Sequence, residues 1–262
     1  MKKMILMVIV GVCMLSITSY AQDIIRITNG EWEPFMSEYS PHYGINSHIV
    51  SEAFKREGIT VEWGFFPWIR AYQEAKMGTE WDASATWRAI DETKTQFLIS
   101  EPVSTTSFIY FHLKINNFEW NSFDDLKEKV VGGTFEYDYG REFMKARAAN
   151  KFEIEMVATD EQNFKKLLAG RIDIFPQDPI VGYAQIRNTF SPKQAKLFTH
   201  HPKEFENSTL HLIISKNSPN AEFFLDKFNT GFRKLKKSGR LAEMLDDLNA
   251  GKYDKQKTVW KE

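Results

Sequence analysis

The sequence predicts an α/β protein of two similar units in tandem, each a mixed, mostly parallel sheet flanked by helices. Three observations predict it. Short apolar runs alternate with stretches of helical periodicity, the pattern of parallel strands joined by crossover helices. After residue 122 the same succession starts again. The C-terminal stretch holds helical periodicity but too few strands for a third unit, so it packs back on an existing unit and makes that unit discontinuous.

In the first unit, residues 24–28 form a strand. Residues 44–57 follow as a helix with Ile45, Ile49, Ala53 and Phe54 on one face, ended by Gly58. Residues 60–63 are a second strand, 68–76 a helix stopped near Gly78, and 82–86 a third strand. A long apolar strand at 107–113 leads to Ser122, which caps a short helix with Asp125 in the capping-box position. The second unit opens with a strand at 129–133, a helix at 139–149 and a strand at 154–157. Thr159 and Gln162 form another capping box for a helix carrying Phe164, Leu167 and Leu168, closed by Gly170, and 172–175 is a strand. A strand at 209–215 precedes Pro219, read as the first residue of a long helical stretch. Phe224, Phe228 and Phe232, then Leu241, Leu245 and Leu248, mark buried faces, with Gly239 dividing two helices.

The chain begins with Lys2 and Lys3, an apolar run over residues 4–15 and the small-residue ending Ser19-Tyr20-Ala21. That is a secretory signal peptide, residues 1–21, with cleavage expected after Ala21. The run is shorter than the about 20 apolar residues of a membrane-spanning helix. Val12 before Cys13 argues against a lipid anchor. Removal leaves roughly 240 residues, enough for two modest domains. The only cysteine, Cys13, leaves with the signal, which excludes disulfides, a thiolate nucleophile and cysteine-ligated metal from the mature chain. The formal charge of −1 becomes more negative without Lys2 and Lys3, which argues against nucleic acid or an anionic membrane as partner.

Several local patterns coincide in order: Ile27-Thr28-Asn29-Gly30-Glu31-Trp32-Glu33-Pro34-Phe35, Phe66-Pro67-Trp68-Ile69-Arg70-Ala71, Trp81-Asp82-Ala83 and Phe97-Leu98-Ile99-Ser100-Glu101-Pro102. Asp125-Leu126-Lys127, Val131-Gly132, Leu167-Leu168-Ala169-Gly170-Arg171-Ile172-Asp173, Phe228-Asn229 and Ser238-Gly239 follow. Over essentially the whole mature chain this resembles the bacterial extracellular solute-binding protein family 3, the periplasmic receptors of polar amino acid ABC importers. The resemblance implies the type II periplasmic binding protein fold: two α/β lobes joined by two hinge strands, closing on one ligand. Lobe 1 would comprise residues 23–106 and 207–262, lobe 2 residues 107–206. It also implies a periplasmic location, a monomer, an ABC permease in the inner membrane as partner, and no cofactor.

Carried over by position, the resemblance makes Trp32 the ring that stacks over the ligand, with packing as the alternative. The segment after Asp82 supplies hydroxyls, amides and an arginine for a ligand carboxylate, which brings Thr86, Trp87 and Arg88 forward. The family arginine falls on Thr93 or Lys94; Lys94 would keep the charge without the planar fork, and Arg88 would substitute from another direction. The helix start at Tyr137-Asp138-Tyr139 corresponds to a carboxylate-binding N-terminus, but Glu136 and Asp138 crowd it, and Asp138 is itself a candidate cap. Asp178 corresponds to the aspartate that pairs with a ligand ammonium; its alternative is an N-cap before Pro179. Glu31, Glu33, Asp138 and Asp178 against Arg70 and Arg88 suit a ligand with a positive group and an aromatic or amide body.

No nucleophile elbow, Walker loop or HExxH occurs. His200 and His201 are adjacent, so their rings fall on opposite sides of a strand and make a poor metal site. The expectation is a binding protein for a small polar solute. The alternatives are a ligand-sensing partner of a membrane receptor, and an enzyme built on the same scaffold.

Overall fold

The structure, a computed structural model, describes residues 23–255. The expected signal peptide lies outside the described residues. The first half alternates as read. It runs β1 (Ile24–Asn29), α1 (Ile45–Lys55), β2 (Thr60–Phe65), α2 (Trp68–Met77), β3 (Ala83–Arg88), then a short α3 (Asp91–Gln96) and the long β4 (Phe97–Leu113). The second half runs β5 (Val130–Thr134), α4 (Arg141–Ala148), β6 (Glu153–Val157), α5 (Asp160–Leu168), β7 (Phe175–Gln177), α6 (Pro179–Thr189), α7 (Pro192–Ala195) and β8 (Phe198–His200). The chain then returns along β9 (Glu206–Ser215) and ends with α8 (Ala221–Lys237) and α9 (Arg240–Asn249).

The principal sheet has the order β2-β1-β3-β9-β4-β7, with β8 also paired to β4. β1 lies parallel to β2 and β3, and β5 parallel to β6, as crossover helices demand. The antiparallel pairs all involve β4 or β9, which pair with each other from Phe97↔Ser215 to Phe108↔Glu206. These two strands cross from one half of the molecule to the other.

Two capping boxes stand as read, at Ser122 with Asp125 and at Thr159 with Gln162. Several readings shift, among them the strand read at 107–113, which begins at Phe97. The strand expected at 172–175 is displaced to β7, because Asp173 ties both its side chain and its amide to Val130 and only Ile174 bridges to β5. The last helical stretch begins at Ala221 rather than at Pro219, with Asn220 as the cap residue. On α9, Leu245 is 44% exposed and Met244 occupies the buried position instead.

Alternation along β4 divides the second half's core. Phe108 and Tyr110 point into one apolar cluster with Tyr139 and Phe143, while Ile109 and Phe111 point into another with Phe164 and Phe175. A larger cluster joins β1, β3 and β9 to α1, α8 and α9 through Ile27, Ile49, Phe54, Phe228 and Phe232. α8 approaches α1 at Gly231, where a Cβ would lie 2.0 Å from the carbonyl oxygen of Ala53.

Candidate ligand-binding cleft

A cavity of about 330 Å³ opens where the halves meet. The segment from β1 to β3 supplies Trp32, Met36, Trp68, Tyr72, Thr86, Trp87 and Arg88; the crossing strands supply Thr106, Phe108 and Leu210; the turn after β5 supplies Glu136, Tyr137 and Asp138. It shares Trp32, Trp68, Ile69, Glu136 and Tyr137 with a wider groove of about 1530 Å³. Trp32, Thr86, Trp87, Arg88, Tyr137 and Asp138 are thereby brought to one wall system.

The aromatic wall follows from local geometry. Gly30 leaves room for the Trp68 ring, since a Cβ there would stand 2.6 Å from it. Trp68 meets Trp87 edge to face at 5.5 Å, and Trp87 meets Tyr72 at 5.2 Å. Trp87 Nε1 donates to Ser84 Oγ at 2.8 Å, which fixes its ring as wall. Trp32 Nε1 donates to Gln177 Oε1 at 3.4 Å. The Thr86 hydroxyl is already engaged, receiving Asn46 Nδ2 and donating to Met36 Sδ, both at 3.1 Å.

Arg88 is held between carboxylates. Its Nη1 lies 3.3 Å from Asp138 Oδ2 and 3.4 Å from Glu206 Oε1, and its guanidinium stands 5.7 Å over the Phe108 ring. Nη2 is buried without a partner. Lys94 is not on the cavity wall; it projects from α3 with its side chain 56% exposed, 4.0 Å from Asp91. Asp138 does not cap α4 as the sequence reading offered: its Oδ1 receives only the amide of Gly140, the residue before the helix, and no side chain bonds the first-turn amides. That helix begins two residues later than expected, with the Asp138 carboxylate in the turn before it.

Asp178 does not line the cavity. Its Oδ1 receives the amides of Ile180 and Val181, and its Oδ2 receives Thr106 Oγ1 and the amide of Ser107. Four donors fill the four acceptor sites of a carboxylate. The ammonium-binding role expected for it has no open acceptor left, and the residue acts as the cap of α6 and its tie to β4. Burial pushes its carboxyl up, opposed by those four bonds.

One group on the groove wall escaped the sequence reading. Asp160, the first residue of α5, is 7% exposed. Thr134 Oγ1 donates to its Oδ1 at 2.6 Å and Tyr137 OH to its Oδ2 at 2.9 Å. Desolvation pushes its carboxyl up to about 6. Burial and this neighbouring carboxylate hold the Tyr137 phenol well above its ordinary value. In the sequence Asp160 is indistinguishable from any acidic residue in a first helical turn.

The strand order, the two crossing strands and the cleft between the halves define the two-lobed type II periplasmic binding protein fold. No family model matches the chain, and no curated protein does. Solved structures match it over nearly their whole length. A mutant of ArgBP from T. maritima superposes with a TM-score of 0.70 at 15% identity, covering 87% of this chain and 95% of that one. The AbpA substrate-binding protein of an amino acid ABC transporter from Streptococcus pneumoniae, bound to L-arginine, gives 0.69 at 16%, covering 89% and 97%. A histidine kinase sensor domain with similarity to periplasmic binding proteins gives 0.71 at 16%, covering 87% and 96%. At these identities the likeness establishes the fold. Among the described residues no helix is long and apolar enough to cross a membrane.

Proposed function

We propose that this chain is a periplasmic solute-binding protein, exported by cleavage after Ala21, that captures a small polar ligand between its lobes and delivers it as a monomer to an ABC permease. The observation that carries the reading is the cleft itself, an aromatic cavity continuous with an open groove and built from both halves and both crossing strands. A volume of about 330 Å³ falls within the range of small-molecule sites. Lobe 1 is assigned residues 23–106 and 207–262 and lobe 2 residues 107–206, so β4 and β9 act as hinge strands. Trp32, Thr86, Trp87, Arg88, Tyr137 and Asp138 are assigned to the binding wall. A binding role rather than turnover is supported by the state of the polar groups: Asp138 pairs with Arg88, Asp178 is saturated by donors, and the Tyr137 phenol is held protonated.

The test is a thermal-shift and calorimetric screen of amino acids, amines, polyamines and small organic acids. A true ligand at about 100 times its dissociation constant adds about 2.7 kcal/mol of stability. Trp32→Ala is expected to weaken that ligand at least tenfold while leaving the ligand-free melting temperature within a few degrees. No shift with any compound would sink the reading. The likeness to a sensor domain motivates a second reading, in which the bound protein signals to a membrane receptor. Uptake of the labelled ligand in a deletion strain separates the two, since loss of uptake is expected only for transport.

A further inference from the structure

The cleft offers no free receptor for a carboxylate. Arg88 Nη1 is shared between Asp138 and Glu206, Lys94 lies off the wall, and the turn leading into α4 brings the carboxylates Glu136 and Asp138 to the cavity, which repel an anion there. Arg88 Nη2 alone is open, a single donor rather than the fork that grips a carboxylate.

The same cleft offers a free receptor for a cation. Asp160 accepts two hydroxyl donors and has the Gln177 side-chain amide beside it, which leaves at least one of a carboxylate's roughly four acceptor sites open. Among the described residues no lysine, arginine or histidine contributes to its electrostatics. A buried carboxylate without a positive partner is costly, and a cation arriving from the groove relieves that cost. Of the other acids on the groove wall, Glu33 receives Asn188 Nδ2 and the amide of Lys255, Glu31 receives the amide of Glu38, and Glu161 pairs with Lys165, while Glu38 and Glu136 add negative charge that favours a cation. Tyr137, which donates to Asp160, belongs to both the groove and the cavity. A positive end at Asp160 thus has an aromatic chamber one side chain away.

We propose that the ligand is an organic amine or guanidine without an α-carboxylate, its cationic end seated against Asp160 and Tyr137 and its body in the chamber of Trp68, Tyr72 and Trp87. This rests on the reading of the cleft as a solute site and names the chemistry it selects. The Trp32 and Tyr137 rings add attraction for the cation. Asp160 is then a specificity-determining residue.

The experiment uses matched pairs differing by one carboxylate: 2-phenylethylamine against phenylalanine, tyramine against tyrosine, agmatine against arginine. Calorimetry at pH 7.5 is expected to give at least one amine binding ten times more tightly than its parent amino acid. Asp160→Asn is expected to weaken that amine at least tenfold. Should that variant fail to fold, the wild-type protein carries the test. The titratable groups facing Asp160 are Tyr137 and Tyr139, both held protonated, so amine affinity is expected to drop about tenfold between pH 7.5 and pH 5 as Asp160 takes up a proton. An amino acid binding as tightly as its amine overturns the proposal and leaves the solute-binding reading standing. Amine affinity indifferent to Asp160→Asn, or to pH where the variant is unfolded, overturns it too. Silence from amines, amino acids and every other class in the screen overturns both.

Discussion

Arg88 on the cavity wall and Asp160 on the adjoining groove wall come from different halves of the chain, and their neighbours give them different work. Arg88 meets two carboxylates and is neutralised by the protein; Asp160 meets hydroxyls and keeps its electrostatic debt. That debt has a pH signature. Burial raises Asp160 from 3.8 to about 6, so the stability it contributes is complete below about 3.8 and is lost as pH rises through about 6. His48 behaves oppositely. Buried beside Tyr253, whose hydroxyl lies 2.8 Å from its Nδ1, and beside His42, it is lowered from 6.5 to about 4. Its contribution is complete above 6.5 and is lost as pH falls towards about 4. The two slopes oppose each other between pH 4 and 6. In Asp160→Asn only the His48 slope remains, so variant stability relative to wild type is expected to climb by about 1.4 kcal/mol per pH unit across that window. Urea unfolding at three pH values checks it, and parallel curves would contradict the assignment.

At the scale of elements, close approach matters more than propensity. Gly231 lets α8 rest against the backbone of α1, and Gly231→Ala, though a better helix residue, is expected to cost about 1–3 kcal/mol by forcing the helices apart. Equilibrium denaturation reads this directly; stabilisation would mean the helices slide freely. What was legible in the sequence was local. The capping boxes of Ser122 and Thr159 are three-residue signals, and the Phe224, Phe228 and Phe232 spacing identifies the inner face of α8. Only the end of β4 stood out, because residues 100–106 carry Ser100, Pro102, Ser104, Thr105 and Thr106 and are strand through pairing with β9, not through apolar content. Short α3 has its acids and lysine facing solvent and gave no periodic signal. The cleft was legible where aromatic and charged residues cluster, at Trp32, Thr86–Arg88 and Tyr137–Asp138. Asp160 was not, since its donors Thr134 and Tyr137 are 26 and 23 residues away in the chain.

At the scale of the molecule, the chain passes between the halves along two paired strands, β4 and β9. The paired residues there are small and polar: Thr105 opposite Thr209, Thr106 opposite Ser208, Ser107 opposite Asn207. Just before them the ladder slips on both sides of Pro102, which has no amide hydrogen to donate. The ribbon is therefore a torsion bar with a notch cut at one point. On the proposed function, twist imposed by a ligand drawing the halves together is expected to concentrate at the notch, while the regular rungs beyond it turn as a rigid length. Amide hydrogen exchange reads this as a sharp boundary. Residues next to Pro102 are expected to change protection on ligand binding, and those of residues 105–108 to stay constant. Uniform change along the ribbon would mean that the bend is shared by every rung. The aperture of the cleft is then set by the compliance of a few backbone bonds some distance from the ligand, so a substitution near Pro102 would retune how tightly the lobes shut without touching a single group that meets the solute.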